Sequence, residues 1–236
     1  MSALEGHIAK AFDGALMTLH VHVTEMGGLV LDQVREASRA YTQWSSQSGE
    51  RVIEREPQVN AYEARVNEEQ ITLIARRQPV GSDLKAIVAM SRAVAELERA
   101  GDEAKKIARA VLTHAGRPGP ATARDALHLA QLAIDLLHLS LQAFDRLDAE
   151  LAVEVIARDH DLDAEYGAGL RRLLTRAMED PRHFEVTLEA AFVLKSLERI
   201  GDHARNLARH VLSMGSASSP VAEEPSVATP PPAANH

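Results

Sequence analysis

The feature that most constrains this chain is an internal repeat. Residues 97–112 read LERAGDEAKKIARAVL and residues 197–212 read LERIGDHARNLARHVL, with ten of sixteen positions identical at a register of one hundred residues. Ala-rich helices often look alike, but a shared LER-x-GD core at both places implies two homologous halves. Each copy ends a run of apolar positions at helical spacing. The first is Ile87, Met90, Val94, Leu97, Gly101, Ala104, Ala108 and Val111. The second is Thr187, Ala190, Leu194, Leu197, Gly201, Ala204, Ala208 and Val211. Such a seam belongs to an amphipathic helix packed in a bundle.

The same periodicity covers nearly the whole chain, and no segment alternates with period two. A long first helix is marked by Ile8, Ala11, Ala15, Leu19, Val23, Met26, Val30, Val34, Ala37 and Tyr41, with Ser2 and Glu5 as a candidate capping box. Ser45 to Gly49 reads as a break, followed by a short helix over 50–55. Pro57 then suits the first turn of a second long helix that ends before Pro79. Ser82 or Asp83 can cap a third. Arg117-Pro118-Gly119-Pro120 reads as the linker between halves, after which the pattern recurs. Leu127, Ala130, Ile134, Leu137, Leu141 and Phe144 form a seam, a short helix spans 149–158, a longer one runs to Met178, and the last begins after Pro181. The expected fold is all-α, a tandem repeat of two antiparallel three-helix bundles. The first repeat covers 1–115 and the second 121–214, and the Pro-, Ala- and Ser-rich residues 215–236 form a disordered tail.

Composition narrows the function. Cys is absent, which removes disulfides and thiolate metal sites. The formal net charge of −8 argues against a nucleic-acid surface. The opening residues carry no apolar signal region, and the stretch 127–144 is broken by polar residues and too short to span a bilayer. These point to a cytoplasmic protein. Nothing pairs a nucleophile with a base, and no Gly-rich loop could cradle a phosphate. Gly27-Gly28, inside a helical pattern, reads as a close packing point.

The chemistry-bearing residues sit beside the seam. Glu98 and Asp102, like Glu198 and Asp202, each follow a seam residue by one position, so they flank the core about 100° round the helix. A spacing of four stacks each pair on one face. A solvated, ion-paired face is one reading, with Asp102 on Lys105 or Lys106, Asp202 on Arg205 and Glu198 on Lys195. The other reading is a ligand site. Gly101 and Gly201, costly in mid-helix at about 1 kcal/mol each, imply close approach of a neighbouring helix beside the acids. Glu56 and Asn60 align with Asp159 and Asp163 at the start of each second helix. Together these give two oxygen-rich clusters suited to Mg²⁺, Mn²⁺ or iron. Asn60 is uncharged where Asp163 is acidic, so the first cluster is expected to hold cations more weakly. Asp125/His128 and Asp135/His138 have di-metal-like spacing, but they lack a Glu-x-x-His partner and a copy in the first half, and read as surface residues.

The repeated LERxGD helix, the run Ala75-Arg76-Arg77-Gln78-Pro79, Glu25-Met26-Gly27-Gly28 and Val52-Ile53 ahead of Val59-Asn60 together resemble the PhoU family, over about residues 5 to 214. The resemblance implies a symmetric pair of three-helix bundles that regulates and does not catalyse. It implies metal ions at E/D-x-x-x-D motifs, which map here onto Glu98, Asp102, Glu198 and Asp202, with Glu56, Asn60, Asp159 and Asp163 as looser matches. It also implies partners: a phosphate ABC transporter and a sensor histidine kinase, held inactive when phosphate is plentiful. A homodimer that binds no nucleic acid and meets the membrane only through partners completes the expectation. Two alternatives stand beside it: a metal-binding bundle with a storage or di-metal enzyme role, and a purely structural repeat whose ExxxD faces are only salt-bridged.

Overall fold

The computed structural model describes residues 2–113, 116–180, 182 and 184–215, with side chains from residue 12 to 214. Six helices follow in order: α1 (Ser2–Gln43), α2 (Ser46–Arg77), α3 (Gly81–Thr113), α4 (Pro120–Arg146), α5 (Ala149–Glu179) and α6 (Phe184–Gly215). The described residues contain no strand. The expected tail at 216–236, His114, and the Ser2 and Glu5 side chains lie outside the described residues.

Helices α1, α2 and α3 pack on one another, as do α4, α5 and α6, which gives the two three-helix bundles. The bundles meet through α3 against α6, the most extensive helix contact in the molecule, and through α1 against α4. Helices α2 and α5 touch only their own bundle and lie on the outer flanks. The core is mainly Ala, Val, Leu and Ile, with Met26, Met90 and Tyr41 among them and Phe144 as the one aromatic side chain with no exposure among the described residues. Small and branched side chains of this kind let helices approach closely, which suits a chain with 3% aromatic residues.

The repeat extends to the turns. Trp44 and Leu147, 103 residues apart, both end a helix in the left-handed region, with φ of 54° and 53°. The next N–H donates five residues back in each case, Ser45 to the Ala40 carbonyl and Asp148 to the Ala143 carbonyl, both at 2.9 Å. This is the Schellman closure, reached here with bulky residues where Gly is usual. Ser45 and Asp148 then serve as N-caps, accepting from the backbone N–H of Ser48 (3.3 Å) and Leu151 (3.0 Å). One tight turn thus makes two antiparallel helix pairs.

Three expectations need correction. The short helices at 50–55 and 149–158 do not exist as separate elements, because α2 and α5 run continuously through both regions. Pro57 lies inside α2 and is exposed, so water can serve the Ile53 carbonyl that a proline cannot reach. Helix α4, at 27 residues, is long and apolar enough to cross a membrane by length and composition, contrary to the sequence estimate. Its apolar residues are the core instead. Because α4 packs against α1, α5 and α6, its buried stripe widens to include Ala126, Leu129, Ala133 and Leu136, while Leu127 is exposed.

Gly27 is the expected packing point: a Cβ there would run into Leu141 of α4. Gly28 faces open space. The seam residues of α3 and α6 are buried throughout except Thr187, which is half-buried.

The continuity of α2 across Pro57 can be tested. Pro57→Ala restores the missing N–H donor at an exposed site, and the corresponding residue of α5 is His160 in an unbroken helix. The variant is expected to gain about 1–2 kcal/mol in urea unfolding, less than the ~3 kcal/mol cost of an unadapted mid-helix proline. No gain would show that the packing of α2 on α1 and α3 depends on the backbone that Pro57 imposes.

Candidate functional site

The candidate site exists twice, once in each bundle, where the second and third helices face one another. Gly101 of α3 makes room for α1 and α2: a Cβ there would lie 3.2 Å from Gln33 Oε1 and 3.9 Å from Val59. At Gly201 of α6 a Cβ would collide with Leu162 of α5 and approach Leu136 of α4 at 3.7 Å. The glycines therefore do what their position implied, and Asp102 and Asp202, one residue after that contact, lie close to the facing helix, with Glu98 and Glu198 three residues before it. Gln33 and Leu136 are counterparts in the repeat. Gln33 donates to the Val52 carbonyl at 3.3 Å, and its buried Oε1 has no partner.

In the first bundle Lys105 forms an ion pair with Glu56 of α2, and its Nζ lies 3.7 Å from Asp102 Oδ1. In the second, Arg205 pairs with Asp159 of α5 and reaches Asp202 at 2.6 Å. Lys105 and Arg205 are equivalent in the repeat, and so are the acids they join. Each bundle thus seats a side-chain cation between the acid of its second helix and the Asp of its third. Glu198 is paired with Lys195 at 2.6 Å, and that ammonium also lies 5.4 Å from the Tyr166 ring centroid. Lys106 turns to Glu103 instead of Asp102. Asn60 and Asp163 are exposed.

The structure thus brings together Glu56, Asp102 and Lys105 in one bundle and Asp159, Asp202 and Arg205 in the other. Among the described residues no three His, Asp or Glu side chains converge as a ready coordination set. The D-x-x-H pairs do not form sites either. Asp125 holds Arg172 (3.0 Å) and Arg176 (2.9 Å), while His128, Asp135 and His138 are exposed.

The electrostatics of the two clusters differ. Burial, then the neighbouring charges of Asp102 and Glu63, push the Glu98 carboxyl above its ordinary range. Glu98 has no ion pair among the described residues, because the position of Lys195 is Ala95 in the first half. In the second half, burial pushes Asp159 up against the pull of Arg205, and Asp159 Oδ1 has no hydrogen-bond partner. The donors are all oxygen, the kind hard cations take. In the first bundle Lys105 neutralises Glu56 and Asp102 and only Glu98 is left without an ion pair, and in the second a guanidinium bridges the two aspartates, so the described residues do not form a coordination set for such an ion in either bundle.

Sequence reasoning missed the buried polar contacts that join the bundles. Glu96 of α3 accepts from His203 Nδ1 at 2.7 Å and Asn206 Nδ2 at 3.3 Å, both on α6. Glu103 of α3 pairs with Arg199 of α6 at 2.9 Å and with Lys106 at 2.8 Å. All of Glu96, Glu103 and His203 are buried. One signal was present: the two LERxGD copies differ in charge type at Glu103 and His203, the positions that face the opposite helix.

The described residues thus form an all-helical tandem repeat with acid clusters on its flanks and buried polar pairs between its halves. The PhoU domain family matches residues 23–111 and 126–211. The chain is 40% identical over 211 residues to a phosphate-specific transport system accessory protein PhoU homolog of Pseudomonas putida, covering 89% of this chain and 82% of that protein. It is 36% identical over 208 residues to the accessory protein PhoU of Escherichia coli, covering 88% and 86%. The crystal structure of PhoU from Pseudomonas aeruginosa superposes with a TM-score of 0.83 at 38% identity, covering 87% of this chain and 99% of that one. The chain belongs to the PhoU family, a family of accessory proteins of phosphate transport, and it is not an enzyme.

The raised Glu98 carboxyl predicts a pH signature. A folded-state pKa above the unfolded one means that ionised Glu98 costs stability, absent below about pH 4.5 and present once pH exceeds the folded value. Glu98→Gln is therefore expected to raise the urea midpoint at pH 7, with the gain shrinking as pH falls through the carboxyl range. A loss of stability at pH 7 would mean that Glu98 is held by favourable contacts.

Proposed function

We infer that this protein regulates phosphate uptake and the phosphate-starvation response. It does so as a cytoplasmic adapter between a phosphate ABC transporter and a sensor histidine kinase, and it represses the response when phosphate is plentiful. The observation that carries this reading is the pair of PhoU domains filling most of the chain, with relatives of 34–40% identity named as accessory proteins of phosphate-specific transport. The geometry is compatible with an adapter. Long helices present broad exposed faces, and α6 exposes Phe184, Leu188 and Phe192 one turn apart. Exposed aromatic stripes of this kind are surfaces for partner proteins. The protein acts as a homodimer and reaches the membrane only through its partners.

An adapter transmits a signal only if it binds a partner with different affinity in two states, and the coupling is then reciprocal. The α3–α6 contact is where such states could differ, because it holds the bundles by a few buried polar pairs beside an Ala-rich core.

Deletion of the gene in its native host, with alkaline phosphatase as the reporter, tests the reading. Strong activity in phosphate-rich medium, reversed by the intact gene, is the expected result. Activity that stays low after deletion of this gene and of every paralogue would overturn it.

A further inference from the structure

The repeat keeps exposed apolar side chains at the same places in both halves. Ile71, Leu84 and Val88 lie near the α2–α3 turn, and their repeat equivalents near the α5–α6 turn are Leu174, Phe184 and Leu188. All six are exposed, between 37% and 69%. Ile74 and Val80 widen the first patch, Met178 and Phe192 the second. Exposed apolar residues elsewhere do not recur in this way: Leu127 stands where the first half has Thr24, and Val153 where it has Glu50. A single exposed leucine needs no explanation, but apolar patches kept at equivalent places in both halves mark an interface. The charges bordering the patches do the opposite. At three equivalent positions their sign reverses: Glu68 against Arg171, Arg77 against Asp180, and Lys85 against Glu185. Arg182 already pairs with Asp180 at 2.9 Å, so Lys85 against Glu185 is the firmer reversal beside α3 and α6. With Asp83 and Arg92 counted the first border stays net positive, and with Arg182 and Glu189 counted the second stays net negative.

We propose that the first-bundle patch of one copy of this chain seats on the second-bundle patch of another, with the apolar surfaces in contact and the reversed charges facing across their borders. Charge complementarity selects a second copy as the occupant. Two patches of the same kind placed together would oppose borders of the same sign, which weakens binding and rejects that pairing. A first patch on a second patch opposes unlike borders, and both surfaces are built from the same pair of helices. The apolar residues supply the affinity, because each loses exposed surface in the contact. The border charges supply the pairing rule. Each copy carries one patch of each kind, so two copies related by a two-fold axis make the contact twice and close as a dimer. The exposed α6 stripe of Phe184, Leu188 and Phe192 is thereby assigned to a second copy.

The inference deepens the homodimer named under the proposed function and rests on that part of the reading alone. The chain has no Cys, so single cysteines report the contact cleanly. Full-length Val88→Cys protein is mixed with Leu188→Cys protein and treated with a short bis-maleimide. The mixture is expected to give several-fold more cross-linked dimer than either variant alone. In sedimentation equilibrium the parent is expected to dimerise, and Lys85→Glu or Glu185→Lys to weaken the dimer at least about tenfold, since each sets like charges together. The double variant Lys85→Glu/Glu185→Lys, with the two signs exchanged, should recover it. Leu84→Ser with Val88→Ser should give monomer, and circular dichroism checks that each variant is folded. A monomeric parent, Val88→Cys protein that cross-links alone as well as in the mixture, or a dimer indifferent to both single charge reversals would overturn the proposal. A monomeric parent whose deletion still releases alkaline phosphatase would sink this contact and leave the regulatory reading standing. A dimer behaving as described, with phosphatase activity low after deletion, would do the reverse.

Discussion

The two bundles are held in one body by the antiparallel contact of α3 with α6, and the other helices take their places from it. Each of these helices lies at the centre of its own bundle, touching both companions, and also carries the main interface to the other half. A helix with neighbours on three sides needs small residues on several faces at once. That requirement accounts for Ala93, Ala100, Gly101, Ala104 and Ala108 on α3 and for Ala190, Gly201, Ala204 and Ala208 on α6, all buried. Polar residues admitted to such an interface must be paired, since an unmatched buried carboxylate costs several kcal/mol. Glu96 with His203 and Asn206, and Glu103 with Arg199, meet that condition. Because the pairs cross between bundles, they fix the register of one half on the other, which apolar contacts between Ala-rich surfaces specify poorly.

Much of the architecture was legible in the sequence because helix periodicity is a strong signal and the repeat doubled it. The α3 and α6 seams and the glycine contacts follow from spacing and propensity, and the linker expected at 117–120 from its Pro and Gly, although Pro120 itself opens α4. What escaped was of two kinds. The sequence places Pro57 at a helix start because proline is unfavourable in a helix interior, yet a packed amphipathic helix of 32 residues outweighs one missing hydrogen bond at an exposed position. Buried acids were the second kind. Glu36, Glu96 and Glu103 look like solvated residues in a charged helix, and only the position of a facing helix shows otherwise. Glu36, for example, is buried because Arg51 of α2 reaches it at 2.8 Å and Arg39 at 2.9 Å.

The acid clusters show the limit of spacing arguments most clearly. Spacing alone offers two readings for Glu98, Asp102, Glu198 and Asp202, an ion-paired face or a ligand site, and distinguishes the halves only by Asn60 against Asp163. The structure contains elements of both. Asp202 and Glu198 are fully engaged by side-chain cations, as an ion-paired face requires. Glu98 is not, and it sits among like charges in a half-buried position. Which reading holds for each half is decided by residues outside the ExxxD motif, at positions 63, 95 and 105 and their counterparts.

Duplication supplies two copies of a scaffold, and selection can then act on the copies separately while the packing stays shared. The turns at Trp44 and Leu147 have kept the same backbone conformation with different residues. The surfaces beside Gly101 and Gly201 have kept the same acids with different counter-charges. A regulator benefits from that division. A half whose charges are internally balanced has no reason to rearrange with solution conditions and can serve as a rigid frame. A half left with a half-buried carboxylate that no side-chain cation meets, as Glu98 is, gives up some stability at neutral pH. Since α3 of the first half is also the helix that grips α6, any shift of α3 within its own bundle is applied directly to the contact that sets how the two bundles are arranged.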